Sequence, residues 1–328
     1  MTPGSVGDLL ARWVRPEIRG LGAYHVPDAS GLIKLDAMEN PYTWPEELRR
    51  EWLTLQQHVE VNRYPDPHAA DLQSVLREAM GVPDEADLLL GNGSDELIQM
   101  IALTLGGRGR TLLSVEPGFV MYRMIATFAG MDYRGVPLRA EDFALDLPAV
   151  LQAMARWRPA VVFLAYPNNP TGNLYDAAAL ERIIAAAPGL VVIDEAYAPF
   201  TDASFLTRVT EFPNLLVMRT VSKMGLAGLR LGLLVGAKSW LAEFDKTRLP
   251  YNINVLTQVS AAFALRHRAV FEEQTGRIRA ERRRLHPALL ALEGVRPYPS
   301  EANFILLRVE RGDAPGLFGA LRGRGVLV

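Results

Sequence analysis

The sequence predicts an α/β protein with a mostly parallel central sheet and helices on both of its faces, accompanied by a smaller α/β domain. From about residue 86, short apolar runs alternate with helix-like segments. Two of these runs, VVFLAY and LVVIDE, are apolar along nearly their whole length. Such strands are expected where helices cover both faces of a parallel sheet. A ligand is then expected at the carboxyl ends of the strands.

Five apolar runs are the predicted strands, and they occur in the order ADLLLGNG, TLLSVEP, AVVFLAYP, GLVVIDEAY and NLLVMRT. Segments such as DAAALERIIAAAP separate them and are helix-like. After about residue 250 the pattern changes to a long helical region, an extended run, VRPYPSEANFILLRV, and a short helical end. We therefore expect an N-terminal arm at 1–39 that packs with the small domain, a large domain at 40–250 and a small domain at 251–328.

Composition excludes several classes of protein. The 328 residues carry a formal net charge of -2, which gives no basic excess for binding nucleic acid. The chain has no cysteine, and its five histidines form no HExxH motif or close pair, so we predict no metal site. No run approaches the roughly 20 apolar residues that span a bilayer. We expect a cytoplasmic protein that binds neither nucleic acid nor a membrane.

Lys223 lies in a loop that suits amine chemistry. In TVSKMGLAGLRLG, residues 220–232, it follows Ser222, and Arg230 comes seven positions later. An amine forms an imine readily when a nearby cation or burial keeps part of it neutral. Arg230 and Ser222 could also bind a phosphate. Taken alone, the segment is as compatible with a surface loop as with a reactive lysine.

An acidic residue ends a predicted buried strand in GLVVIDEAYAPF. Asp194 must be paired or hydrogen-bonded there, because burying an isolated charge is costly. A protonated ring nitrogen would be a suitable partner, and Tyr197 could hydrogen-bond the same ring. The pattern also resembles the Mg²⁺-holding strand of a P-loop NTPase. The companion GxxxxGK[ST] motif is missing, because GLLVGAKS has Ala237 in place of the second glycine.

Two further segments follow predicted strands and point to the same edge of the sheet. AYPNNPTGNLY predicts a rigid turn that aims Asn169 into a cleft. In LLLGNGSDELIQMIAL, glycines precede Ser94 and Asp95, and a helix follows. The free N–H groups of the first helical turn would receive a phosphate. An ordinary helix with Ser94 or Asp95 as its N-cap is the alternative interpretation, and it is compatible with phosphate binding.

Taken together and in this order, GNGSDE, EPGFVMY, YPNNPTG, DEAY and SKMGLAGLRLG resemble the fold-type I aminotransferases over nearly the whole chain. Four further segments, KLDAMENPY, NRYPD, LPYNINVLTQ and SEANFILLRV, are similar to a branch of that family whose amino substrate carries a phosphate. The resemblance implies a homodimeric enzyme that uses pyridoxal 5'-phosphate. It also implies transfer of an amino group between the phosphorylated substrate and the glutamate/2-oxoglutarate pair.

The same resemblance implies a role for each candidate residue. The implied catalytic residues are Lys223, which forms a Schiff base with the cofactor, Asp194, which pairs with its pyridine nitrogen, and Tyr197. The other implied contacts are hydrogen bonds to the phenolic oxygen from Asn169 and Tyr197, phosphate contacts from Ser94, Asp95, Ser222, Arg230 and Tyr64 of the partner subunit, ring stacking by Phe119, and substrate contacts from Tyr24 and Asn40. The sequence departs from the family at Phe119, where tyrosine is common, and at Met38, where asparagine is frequent.

Three alternatives keep the same fold: decarboxylation of threonine phosphate, transamination of another amino acid, and ligand binding without catalysis. The first two differ in which substrate bond lies perpendicular to the cofactor ring, which the sequence does not specify. The presence of Lys223, Asp194 and Asn169 favours catalysis over the third. Family members also continue past the equivalent of GRGVLV with an arginine that grips the substrate. By resemblance, a chain ending at Val328 is expected either to be a truncated form or to lack that contact.

Overall fold

The structure is a computed structural model that describes residues 5–23 and 25–328. In that part of the chain the α-helices are α1 (Val6–Trp13), α2 (Pro16–Arg19), α3 (Glu46–Gln56), α4 (Ala70–Met80), α5 (Ser94–Leu105), α6 (Val120–Phe128), α7 (Leu147–Trp157), α8 (Ala177–Ala186), α9 (Lys238–Asp245), α10 (Val255–Arg266), α11 (Arg268–Leu290) and α12 (Ala314–Gly323). The strands are β1 (Ile33–Lys34), β2 (Asp87–Gly91), β3 (Thr111–Glu116), β4 (Asp132–Pro137), β5 (Val161–Ala165), β6 (Leu190–Asp194), β7 (Leu215–Thr220), β8 (Gly232–Gly236), β9 (Val295–Pro297), β10 (Leu307–Val309) and β11 (Val326–Leu327).

The central sheet has seven strands in the order β2-β8-β7-β6-β5-β3-β4. The strands from β7 to β4 are parallel to one another, and β8 is antiparallel to both of its neighbours. The predicted fold class and all five predicted strands are confirmed. The prediction omitted β4 and β8. The first is an edge strand with a partly polar sequence, DYRGVP, and the second is a short strand with a glycine at each end.

Two hydrophobic cores lie on the two faces of this sheet. Strand β6 shows why: Val191 and Ile193 belong to one core, whereas Leu190 and Val192 belong to the other. Successive side chains of a strand point to opposite faces, so a strand covered on both sides must be apolar at every position. The polar residue at the carboxyl end of such a strand lies beyond the helices that pack on the two faces of the sheet.

Five of the described α-helices begin with a side-chain cap, and Ser5 supplies the one on α1. Asp146, Asp176, Asn254 and Asp313 accept hydrogen bonds from backbone N–H groups in the first turns of α7, α8, α10 and α12. Helix α5 is among the helices without one, because its N-cap is Gly93 and no side chain among the described residues caps its first turn. The prediction that Ser94 or Asp95 caps α5 is therefore wrong. These residues are the first two of the helix, and its amino end is left open to a ligand.

The region after the central sheet contains α10 and α11, which break at His267, and the antiparallel pair β9 and β10. Helix α12 and β11 follow. Strand β11 pairs in parallel with β1, so the N-terminal arm lies against the end of the chain. The domain boundaries drawn from the sequence stay a prediction. Within residues 5–23 and 25–328, no helix is both long and apolar enough to cross a bilayer.

Candidate active site

A cavity of about 590 Å³ opens at the carboxyl ends of β3, β5, β6 and β7. The predicted site residues that line it are Ser94, Asp95, Phe119, Asn169, Asp194, Tyr197, Ser222, Lys223 and Arg230. Residues from the N-terminal arm form another part of its wall, including Lys34, Asp36 and Ala37. Five separate motifs thus meet at one place, because the ends of parallel strands share one edge of the sheet.

Asp194 is the last residue of β6, and only 4% of it is exposed. Its Oδ2 accepts a hydrogen bond from the Tyr122 hydroxyl at 2.6 Å, and its Oδ1 accepts one from the Ala196 amide at 3.0 Å. Burial raises the pKa of Asp194 to about 6, although these two hydrogen bonds oppose the rise. It forms no salt bridge with any described residue. A cation placed in the cavity would supply the missing counter-charge.

A second polar pair lies beside this carboxylate. Asn169 Nδ2 donates to the Tyr197 hydroxyl at 3.1 Å. Tyr197 is buried, and burial together with the charge of Asp194 raises its pKa. At neutral pH it is therefore a phenol that can donate a hydrogen bond. The pair presents an amide and a hydroxyl to the same region of the cavity.

Lys223 extends from the turn after β7 into the cavity. Its Nζ donates to the carbonyl of Ala37 at 2.8 Å and lies 5.7 Å from the centroid of the Tyr197 ring. Burial lowers the pKa of Lys223, and the positive charge of Arg230 lowers it further, against the opposing charge of Glu39. An amine in this position loses its proton more readily than an exposed lysine, which is the condition for covalent catalysis.

The far side of the cavity is suited to an anion. It combines the open amino end of α5 with Arg230, whose Nη2 lies 3.4 Å from Asp95 Oδ2. Gly93 has φ +81, and a Cβ added there would lie 2.6 Å from the Arg230 guanidinium. Glycine at this position therefore allows the guanidinium to approach the first turn of the helix. Helix N-termini and arginine side chains both favour phosphate groups.

Two of the predicted residues that the structure describes do not line the cavity. Asn40, directly after the N-terminal arm, donates to the Met224 carbonyl at 2.9 Å and to Gln274 Oε1 at 3.0 Å, so its amide links the turn that carries Lys223 to α11. Tyr64 is 81% exposed and stacks on Tyr251 with ring centroids 4.5 Å apart. Tyr24 lies outside the described residues.

Sequence reasoning missed several residues that the structure brings to the site. Thr220 lines the cavity, and its hydroxyl lies 2.9 Å from Ser222 Oγ. Tyr122 contacts Asp194 from outside the cavity wall. A signal for Tyr122 was present, since it lies three positions after Phe119 in EPGFVMY and i,i+3 residues share a helix face. No local pattern points to the arm residues of the wall.

Comparison with known proteins assigns the chain to a family. The family model for aminotransferase class I and II matches residues 30–328. Histidinol-phosphate aminotransferase 2 of Nitrosococcus oceani is 55% identical over 98% of this chain and 89% of its own length. Histidinol-phosphate aminotransferase 1 of Ralstonia nicotianae is 55% identical over 99% of this chain and 87% of its own length. The site is that of a pyridoxal-phosphate-dependent enzyme, and the chain belongs to the class I and II aminotransferases.

Solved structures agree on the fold. The histidinol-phosphate aminotransferase of Sinorhizobium meliloti, determined with pyridoxal-5'-phosphate, superposes with a TM-score of 0.83 at 24% identity, covering 97% of this chain and 89% of that one. The Clostridium acetobutylicum enzyme gives a TM-score of 0.82 at 23% identity, covering 90% and 88%. At these identities the likeness establishes the architecture alone. The predicted fold type I is thereby confirmed.

Proposed function

We propose that this protein is a cytoplasmic, homodimeric enzyme of histidine biosynthesis that transfers the amino group of L-histidinol phosphate to 2-oxoglutarate. The products are imidazole acetol phosphate and glutamate. The observation that carries the proposal is the cavity in which Lys223, Asp194, Asn169 and Arg230 meet. The choice of substrate is supported by relatives more than 50% identical over nearly the whole chain.

The residues of the cavity fit pyridoxal 5'-phosphate. The buried carboxylate of Asp194 suits a protonated pyridine nitrogen, and the Asn169–Tyr197 pair suits the phenolic oxygen. The end of α5 with Arg230 suits the phosphate. When bound, this group supplies an electron sink for the bonds at the substrate's α-carbon.

Lys223 has two roles in this proposal. Its amine, with a pKa lowered by burial, would hold the cofactor covalently between turnovers. The same amine, when free, would accept the proton that leaves the α-carbon of the substrate and return it to the product. Phe119, at the amino end of α6, lines the cavity and would stack on the cofactor ring.

A titration followed by visible absorption tests the reaction. L-histidinol phosphate added to the cofactor-loaded protein is expected to remove the cofactor's visible band, and 2-oxoglutarate is expected to restore it with formation of glutamate. Histidinol without its phosphate serves as the matched control and should need a much higher concentration. If threonine phosphate reacts instead and releases carbon dioxide, the protein is a decarboxylase and the proposal is wrong.

Replacing Gly93 by alanine is expected to raise the Kd for pyridoxal phosphate about tenfold, because the new Cβ pushes the Arg230 guanidinium away from α5 and weakens a charge-assisted contact. Equilibrium dialysis of the cofactor measures this. Gly81→Ala is the matched control, since Gly81 has φ +66 but nothing within 4 Å of an added Cβ. Equal losses of affinity in both variants would attribute the effect to backbone strain alone.

The homodimer is supported by an exposed apolar surface next to Tyr64. Leu249, Tyr251 and Val61 are also exposed there, and in the proposed dimer Tyr64 reaches the phosphate in the partner subunit. Lys223→Ala and Tyr64→Ala subunits are mixed under limiting cofactor. A mixed dimer then has one intact site, formed by Lys223 of one subunit and Tyr64 of the other. About half of the dimers are mixed, so up to about a quarter of wild-type activity is expected. Light scattering that shows a monomer, or a mixture no more active than its components, would refute this arrangement.

A further inference from the structure

Tyr122 is a buried phenol without a role in the chemistry proposed above. It lies in the first turn of α6, and only 1% of it is exposed. Its hydroxyl donates a 2.6 Å hydrogen bond to Oδ2 of Asp194, 72 residues away in the chain. Its ring stacks on Phe163 with centroids 4.9 Å apart and meets the Phe119 ring edge-on at 5.5 Å. The start of α6 thus supplies both the predicted stacking ring and a donor to the predicted cofactor-binding carboxylate.

We propose that Tyr122 is a positioning residue whose hydroxyl fixes the orientation of the Asp194 carboxylate and holds it in the charged form that pairs with the ring nitrogen of the cofactor. The inference rests on the proposed function for what Asp194 binds. The hydrogen bond between the two residues does not depend on it. Tyr122 does not line the cavity, so it acts through Asp194.

The carboxylate requires a donor because its surroundings oppose its charge. Burial is the largest influence and raises the pKa of Asp194, and the carboxylates of Asp95 and Glu195 raise it further. The hydrogen bonds from Tyr122 and from the Ala196 amide are the two influences that lower it. Hydrogen bonds to a charged group favour the charged form. Without the phenol hydroxyl, the Ala196 amide is the remaining hydrogen-bond donor that lowers the pKa of Asp194, whereas burial and the charges of Asp95 and Glu195 still raise it.

The other ionisable groups around Asp194 do not replace this donor. Tyr197 accepts from an amide, and the amine of Lys223 donates to a backbone carbonyl. Neither is hydrogen-bonded to Asp194 in the described part of the chain. Tyr122 itself stays protonated, because burial and the nearby negative charge raise its pKa well above the usual value.

The test compares the cofactor-free wild-type protein with Tyr122→Phe, which removes the hydroxyl and keeps the ring. Infrared titration of the protonated carboxylic acid band follows Asp194, and the band is assigned by its loss in Asp194→Asn. The wild-type midpoint is expected near the pKa of about 6. In Tyr122→Phe it is expected to rise by about one pH unit, the size of one hydrogen bond to a charged group. An unchanged midpoint overturns the proposal.

Tyr175→Phe is the matched control. Tyr175 is also buried, at 4% exposure, but its hydroxyl has no hydrogen-bond partner in the described structure. Removing it changes burial and packing in the same way without touching Asp194. The Asp194 midpoint is expected to stay at the wild-type value. A rise equal to that of Tyr122→Phe would mean that packing sets the pKa of Asp194, and would also overturn the proposal.

A binding measurement separates this inference from the proposed function. At pH 5, below both midpoints, Tyr122→Phe is expected to bind pyridoxal phosphate about tenfold more weakly than wild type, and the difference is expected to disappear well above pH 7, where Asp194 is charged in both proteins. A weakening independent of pH would contradict the proposal. If Asp194→Asn bound the cofactor as tightly as wild type, the assignment of Asp194 in the proposed function would fail, while the infrared result would still decide the coupling to Tyr122.

Discussion

Lys223→Ala is expected to lower the rate of amino transfer by at least about 10⁴-fold, because one substitution removes both the covalent anchor and the group that moves the α-proton. The amine is replaced by a methyl group, and the hydrogen bond to the Ala37 carbonyl is lost with it. The other lysines of the chain are Lys34, Lys238 and Lys246. Of these, Lys34 also lines the cavity, but its amine pairs with Glu39 and Asp36, which raise its pKa.

Borohydride reduction followed by peptide mass spectrometry measures the covalent role directly. In the wild-type protein the cofactor mass is expected on the peptide that contains Lys223, and in Lys223→Ala on no peptide. Lys246→Ala is the control, since Lys246 is exposed and paired with Glu243 on α9. Cofactor fixed to another lysine in the wild-type protein would rule out Lys223 as the anchor.

The sequence predicts the parts of this site that are local. Asp194 follows four apolar residues of a buried strand, and Lys223 follows the next strand of the sheet. Because parallel strands end at one edge, recognising each strand is enough to predict that the two residues meet. The five motifs are therefore predicted to meet without any knowledge of side-chain contacts, and in the structure their residues line one cavity.

The parts that the sequence does not predict depend on distant contacts. Tyr122 meets Asp194 across 72 residues, and Ala37 meets Lys223 across 186. Such contacts depend on how the helices and the N-terminal arm pack on the sheet, and the periodicity of the sequence does not predict that packing.

Asn40 is a residue for which the sequence suggests a contact that the structure does not show. Its position in a family motif suggests a substrate contact, whereas its amide is engaged by Met224 and Gln274.

Asp194→Asn is expected to lower both cofactor affinity and the rate of amino transfer by on the order of 10³-fold, the size expected when one partner of a buried charge pair is removed. The substitution keeps the shape of the side chain and removes its charge. Asp202→Asn is the control, because Asp202 is 88% exposed and pairs with Arg279 away from the cavity. Full activity in Asp194→Asn would exclude an ion pair with the ring nitrogen.

The same substitution is expected to raise the free energy of unfolding of the cofactor-free protein at neutral pH. The pKa of Asp194 is about 6 in the folded state and about 3.8 in the unfolded state. A carboxyl group whose pKa is raised by folding is destabilising in its charged form, so its cost appears as pH rises through that interval. A difference of about two pH units corresponds to about 3 kcal/mol. Chemical unfolding from pH 4 to pH 8 should therefore show the wild-type protein losing about that much stability relative to Asp194→Asn.

The charge of Asp194 is expected to destabilise the cofactor-free protein and to stabilise the cofactor complex. Without cofactor, a charged group is buried at the end of β6 against its own preference for water. With cofactor, the ring nitrogen would supply the opposite charge, and this pairing would offset the unfavourable free energy of burying the carboxylate. The wild-type protein should therefore gain more unfolding free energy from saturating cofactor than Asp194→Asn does, and the gap should widen between pH 4 and pH 8. Equal gains at every pH would mean that the carboxylate is buried for a reason other than cofactor binding.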